Sequence, residues 1–268
     1  MATASTSVDH CDVRQRFRAP ASNLARHARR LALCAVCCLA TMGNTRSTGP
    51  GQVSVDVALV LAVDVSNSVD WFEYELQKYG ISKAIRDPEV LAAINAGRNR
   101  RIAISLVQWS GSTSRRIAVP WTLLSDQTSV ERIAKIIDFM PREFDGDATN
   151  ISGVLAYATD LLTASPYQAT RKVIDVSGDG RENVSDAPER MRDRAVAAGI
   201  TVNGLAIENE EKGLRHHYRN RIIGGPGAFV LPVARFEDFA AAMKKKLIRE
   251  IDPKKVSWNA VKTDGLKP

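Results

Sequence analysis

The chain has little cysteine, and none where a folded domain would use it. Its four cysteines, Cys11, Cys34, Cys37 and Cys38, fall near the start of a 268-residue sequence. Everything after them lacks a thiol, which excludes disulfide cross-links and thiolate metal sites there. No apolar run approaches the ~18 to 20 residues that span a bilayer. Histidine is scarce too: only His216 and His217 follow His27. Adjacent histidines on a helix point in different directions and make a poor metal pair, so both are expected to be exposed helix residues. No Gly-x-Ser-x-Gly nucleophile motif occurs. Ser177 precedes Gly178, but the residue two before it is Asp175. Gly224-Gly225-Pro226-Gly227 lacks the Gly-Lys-Ser/Thr ending of a phosphate loop and reads as a turn. Acid–base and nucleophilic catalysis therefore lack their usual parts, and a protein that is not an enzyme is expected.

The first 54 residues differ from the rest. Residues 1–30 are polar and carry Arg26, Arg29 and Arg30 near their end. Residues 31–43, LALCAVCCLATMG, are almost wholly apolar, and the small, turn-rich NTRSTGPGQ follows. This order predicts a secretory signal peptide over 1–43 and a linker over 44–54, with a secreted or periplasmic mature chain. An uncleaved helical anchor is the alternative. The formal charge of +7 shrinks accordingly: residues 1–43 hold six Arg and two Asp, a net +4, which leaves +3. That balance gives no argument for nucleic acid. Lys244-Lys245-Lys246 is expected to be the solvated face of a helix.

From residue 55 the pattern alternates strand and helix. Residues 55–63 form a continuous apolar run broken only by Asp56, as a strand buried on both faces requires. Helical spacing follows over 69–86, with Val69, Phe72, Leu76 and Tyr79 on one stripe. Strands are predicted at 101–109, 115–123, 172–177, 200–207 and 228–233. The second of these contains Pro120, which suits an edge. Helices are predicted at 128–140 (Val130, Ile133, Ile136 and Ile137 inside), 150–162, 186–198, 211–222 and 236–251. Asp186 and Glu189 would form a capping box, and Gly199 would stop that helix. Residues 252–268 read as a tail. This alternation specifies an α/β fold with a mostly parallel central sheet and helices on both faces. Ligand sites in such sheets lie at the carboxyl ends of the strands, where strand order reverses.

Three loops at those ends hold the chemistry. Asp64-Val65-Ser66-Asn67-Ser68 ends the first strand. FDGDATNISG, residues 144–153, puts Thr149 just before a helix. DVSGDGREN, residues 175–183, puts Asp179 just after a strand. Carboxylates and hydroxyls at alternate positions aim oxygens into one concavity, a donor set for Mg²⁺, Mn²⁺ or Ca²⁺. Ser68 is equally placed to be a helix N-cap. Asp145 and Asp147 are expected to be solvated loop acids and Asn150 a helix cap, although Asn67, Asp147 and Asn150 are also candidates for the rim of the site. Asp175, inside a strand, is expected to be a paired structural acid.

Asp64-x-Ser66-x-Ser68, a later Thr149 at a helix start and Asp179-Gly180 after a strand resemble the metal-ion-dependent adhesion site of the von Willebrand factor A (vWA) family. The resemblance covers about residues 54–250. It implies a Rossmann-like vWA fold with one antiparallel edge strand over 55–251. It also implies a divalent cation, most readily Mg²⁺, and a protein partner that presents Asp or Glu to that cation. Ser66, Ser68 and Thr149 would be hydroxyl ligands, with Asp64 and Asp179 acting directly or through water. Family members often carry an apolar residue and Thr before the Asp-Gly pair, where this chain has Ser177-Gly178. IGGPGAFV, residues 223–230, together with DVSGDG is similar to a poorly characterised bacterial group of secreted proteins in this superfamily. Two other classes stay open: a Mg²⁺-dependent hydrolase of phosphate esters, and a scaffold domain with a vestigial site.

Overall fold

A computed structural model describes residues 52–184 and 187–252. The expected signal peptide, most of the expected linker, the residues beyond Asp252 and the expected capping role of Asp186 lie outside the described residues. Six strands form one sheet: β1 (Ser54–Asp64), β2 (Ile102–Trp109), β3 (Arg115–Leu124), β4 (Gln168–Gly178), β5 (Ile200–Ile207) and β6 (Val230–Val233). Their order is β3-β2-β1-β4-β5-β6, and every pairing is parallel except β2 with β3. The Pro120 strand is thus the antiparallel edge. The helices are α1 (Trp71–Arg86), α2 (Pro88–Ala96), α3 (Gln127–Asp138), α4 (Ile151–Thr163), α5 (Pro188–Ala197), α6 (Leu214–His217) and α7 (Phe239–Ile251). Residues Tyr218–Ile222 form a π-helical turn after α6, and a 3₁₀ turn at Phe236–Asp238 leads into α7.

The unbroken apolar run of β1 has a direct cause. Val57, Leu59, Leu61 and Val63 face a core shared with α1, α2, α3 and α7. Ala58, Val60 and Ala62 face a second core shared with α4, α5, α6 and the π-turn. Successive side chains point to opposite faces, so a central strand with two dry faces needs apolar residues throughout. Each buried Val or Leu there contributes about 1.5–3 kcal/mol of transfer free energy. β1 is also the switch point: the chain leaves it for β2 and β3 on one side, then returns to β4 on the other.

Four expectations change in the fold. Helix α1 turns Tyr74, Gln77, Gly80, Ile81, Ala84 and Ile85 inward, while Phe72 and Tyr79 are exposed. Both faces of α1 carry aromatic residues, so its periodicity does not select a side; contact with α7 and α3 does. A Cβ at Gly80 would stand 2.6 Å from Phe239 Cδ1, so glycine sets how closely these helices approach. Ile136 of α3 is exposed, while Val130, Ile133 and Ile137 are buried as expected. Lys246 is not solvated. It is fully buried, ion-paired with Asp175 (2.7 Å) and Glu250 (2.6 Å), so Asp175 is a paired acid. His217 is buried while His216 is exposed, because α6 lays one side on the sheet. Helix α2 was not foreseen; Asp87 caps its start and Pro88 occupies its first turn.

Candidate metal centre

The oxygens of three loops meet at the carboxyl ends of β1 and β4. Asp64 is the last residue of β1 and is fully buried. Its Oδ1 accepts from the Ser66 amide at 2.8 Å, which folds the loop back over the strand end. That bend brings the Ser66 and Ser68 hydroxyls to 3.2 Å from each other. Thr149, directly before the helix cap Asn150, donates to Ser66 Oγ at 3.4 Å. Asp179, directly after β4, accepts from Ser68 Oγ at 2.6 Å. All five expected residues therefore meet. The second oxygens of the two acids, Asp64 Oδ2 and Asp179 Oδ2, are buried and have no hydrogen-bond partner.

The double reading of Ser68 resolves here. The N-cap of α1 is Asp70, whose carboxylate accepts from Glu73 N at 2.8 Å while Glu73 reaches back to the Asp70 amide at 2.9 Å. A complete capping box leaves Ser68 no capping duty. Asn150 does cap α4, accepting from Gly153 N at 2.7 Å. Asp145 and Asp147 are exposed; Asp147 Oδ1 accepts from Ala148 N at 2.7 Å. Asn67 is exposed, and its backbone amide donates to Asp147 O at 3.0 Å, which joins the first two loops.

Residues that the sequence did not single out hold these loops. Gln77, inside the buried face of α1, donates to Asp64 O at 3.1 Å. Arg142 donates to Val65 O at 3.1 Å and Ser66 O at 3.2 Å, and its guanidinium lies over the Trp71 ring. Asn183 accepts from Thr149 N at 2.8 Å and returns its own amide to Thr149 O at 3.0 Å. A polar Gln on a buried helical stripe was a visible signal for the first. Nothing in the sequence distinguishes Arg142 or Asn183 from ordinary loop residues.

The electrostatics suit a cation. Burial, and then the neighbouring Asp179 charge, pushes the Asp64 carboxyl up to about 8 against the opposing pull of its Ser66 hydrogen bonds. Burial raises Asp179 as well, with Glu210 and Glu211 adding negative potential. Two acids in one dry site disfavour each other's ionisation, and a bound cation reverses that preference. Among the described residues no three His, Cys, Asp or Glu side chains gather as a cage. The donor set is instead two carboxylates and three neutral hydroxyls, all hard oxygens, which suits a hard divalent ion.

The model of a family described as "Protein of unknown function (DUF1194)" matches residues 54–255. The chain belongs to that family. Within DUF1194 the fold of this chain is that of a vWA domain. It resembles proximal thread matrix protein 1 from the mussel byssus in a structure with a "zinc occupied MIDAS motif", at a TM-score of 0.52 and 18% identity, over 74% of this chain and 48% of that one. It likewise resembles a von Willebrand factor type A structure from Catenulispora acidiphila, at a TM-score of 0.53 and 16% identity, over 74% of this chain and 43% of that one. By sequence it is 27% identical over 154 residues to the collagen alpha-1(VI) chain of Gallus gallus. That match covers 57% of this chain and spans only 14% of the collagen chain. The structural likenesses are likenesses of fold. The DUF1194 match covers nearly the whole described region, from β1 to the end of α7.

Proposed function

We propose that this chain holds a divalent cation, Mg²⁺ by preference, through Ser66, Ser68 and Thr149, with Asp64 and Asp179 ligating directly or through water. The cation then takes the carboxylate of an Asp or Glu on a protein partner. The observation that carries this reading is the meeting of two buried carboxylates with three hydroxyls at the switch point of the sheet, Asp179 keeping an unpartnered oxygen. Two acids leave a divalent ion little negative charge to spare, so it stays electrophilic toward an outside carboxylate. The surrounding loops, with Asn67, Asp147 and the Glu73 side of α1, give the rim on which a partner is selected.

The zinc-occupied MIDAS motif named for the mussel byssus protein supports a metal site in a chain of this fold. The description of that neighbour as a matrix protein supports a binding role outside the cytoplasm, as the signal-peptide pattern does. Among the described residues no helix is long and apolar enough to cross a membrane. A binding protein rather than an enzyme fits a donor set of acids and hydroxyls with no histidine among them.

Calorimetric titration with Mg²⁺ and Mn²⁺ tests the site. The wild-type protein should bind one ion, and the Ser66→Ala/Asp179→Ala double variant should not. Unchanged binding by the double variant would show the assignment to be wrong. A pull-down from periplasmic extract with and without EDTA tests the partner. A partner retained in EDTA would favour a scaffold with a vestigial site.

A further inference from the structure

We propose that Tyr218 is a positioning residue of this centre: its phenol O–H serves the inner Asp64 oxygen across a gap at Gly178 and sets how that carboxylate faces the cation. The inference rests on the cation reading above and adds a residue from outside its three loops.

Tyr218 opens the π-helical turn and is fully buried in the core beneath α4 and α5. Its hydroxyl has no hydrogen-bond partner, and neither has Asp64 Oδ2. The two atoms share one notch. A Cβ at Gly178 would stand 2.7 Å from Asp64 Oδ2 and 2.8 Å from Tyr218 Oη. A second strand glycine makes room for the ring, since a Cβ at Gly204 would stand 2.6 Å from Tyr218 Cδ1. Glycine inside a strand weakens it and marks a close approach by another group. Here β4 and β5 each give up a side chain, and the same tyrosine gains from both.

The two groups are complementary. An ionised carboxylate only accepts, and a phenol donates. Leaving both unpaired in a dry core is costly, whereas joining them, directly or through one water, satisfies both. The donor is also neutral. A Lys or Arg in its place would compete with the cation for the Asp64 charge, while a phenol orients the carboxylate and leaves that charge intact. A π-turn is an irregularity often found at functional sites, and this one begins at the residue that reaches the notch.

Tyr218→Phe keeps the ring against Gly204 and removes only the hydroxyl. Its Mn²⁺ dissociation constant by calorimetry is expected to rise about 10–100-fold, the usual effect of losing a group that orients a ligand. A cooperative thermal melt in EDTA shows that the variant is folded. Wild-type Mn²⁺ affinity in a folded Tyr218→Phe protein overturns the proposal. A measurement on the wild-type chain covers a variant that does not fold. With carbon-13 at tyrosine Cζ, Mg²⁺ should shift one of the five tyrosine resonances; if none moves, the proposal fails. A wild-type chain that binds no cation sinks the cation reading itself, and this proposal with it.

Discussion

Lys246→Met should be among the most damaging single substitutions in this protein, and its damage should depend on pH. Lys246 is fully buried between Asp175 of β4 (2.7 Å) and Glu250 one turn along α7 (2.6 Å). Glu250 also accepts from Asn203 Nδ2 at 2.8 Å, and Asn203 accepts from Phe229 N at 3.1 Å. One buried cation thus holds two buried acids and ties α7 to β4, β5 and the segment before β6. Methionine fills a similar volume without the charge. Removing one partner of a buried ion pair costs about 3–5 kcal/mol, because the other is left without compensation. With two acids stranded, the upper end of that range applies at pH 8. A typical domain has about 5–15 kcal/mol in total.

The pH dependence follows from Asp175. Burial, with Glu250 adding to it, pushes its carboxyl up to about 7 even beside Lys246. A folded-state value above the unfolded value of 3.8 means that the native state binds this proton more tightly. Its stabilising contribution is full below the unfolded value and is lost as pH rises through about 7. Without Lys246 the folded value of Asp175 rises further, and the loss continues to higher pH. Urea unfolding of wild type and Lys246→Met at pH 5 and pH 8 reads this directly. The destabilisation should be much larger at pH 8. Equal destabilisation at both values, or less than about 1 kcal/mol at pH 8, would refute the account of a buried pair.

Asp70→Ala removes half of the capping box of α1 and should cost about 1 kcal/mol, seen as a lower urea midpoint with an unchanged slope. Phe239→Ala empties the fully buried ring that lies over Gly80 and should cost about 3–5 kcal/mol by the same assay. If the centre holds a cation, Mg²⁺ at a hundred times its dissociation constant should stabilise the fold by about 2.7 kcal/mol relative to EDTA. The Ser66→Ala/Asp179→Ala variant should lose that increment in a thermal melt.

The sequence by itself determined the features that are local in their physics. A strand with two dry faces must be apolar at nearly every position, so β1 was legible from residues 55–63 as a strand buried on both faces. Pro120 cannot donate a ladder hydrogen bond and so marked the edge. Asp64, Ser66 and Ser68 lie within five residues, and Thr149 and Asp179 each sit at a helix start or strand end. The alternation of strands and helices put their loops at the carboxyl ends of a parallel sheet, and resemblance to the vWA adhesion site joined these five residues into one set. What only the tertiary structure decided depends on which face meets which neighbour. Phe72 and Tyr79 of α1 point to solvent, and Gln77 points to the Asp64 carbonyl, because α7 and α3 pack on one side of a helix whose aromatics occupy both. Lys246 is inside rather than on a solvated face because Asp175 and Glu250 offset its desolvation, a compensation invisible in Lys244-Lys245-Lys246. Ser68 was freed for the centre by a capping box at Asp70 and Glu73. Tyr218 shares the notch at Gly178 with Asp64 only because two glycines on neighbouring strands leave it room, and room is a property of packed surfaces that no stretch of sequence states alone.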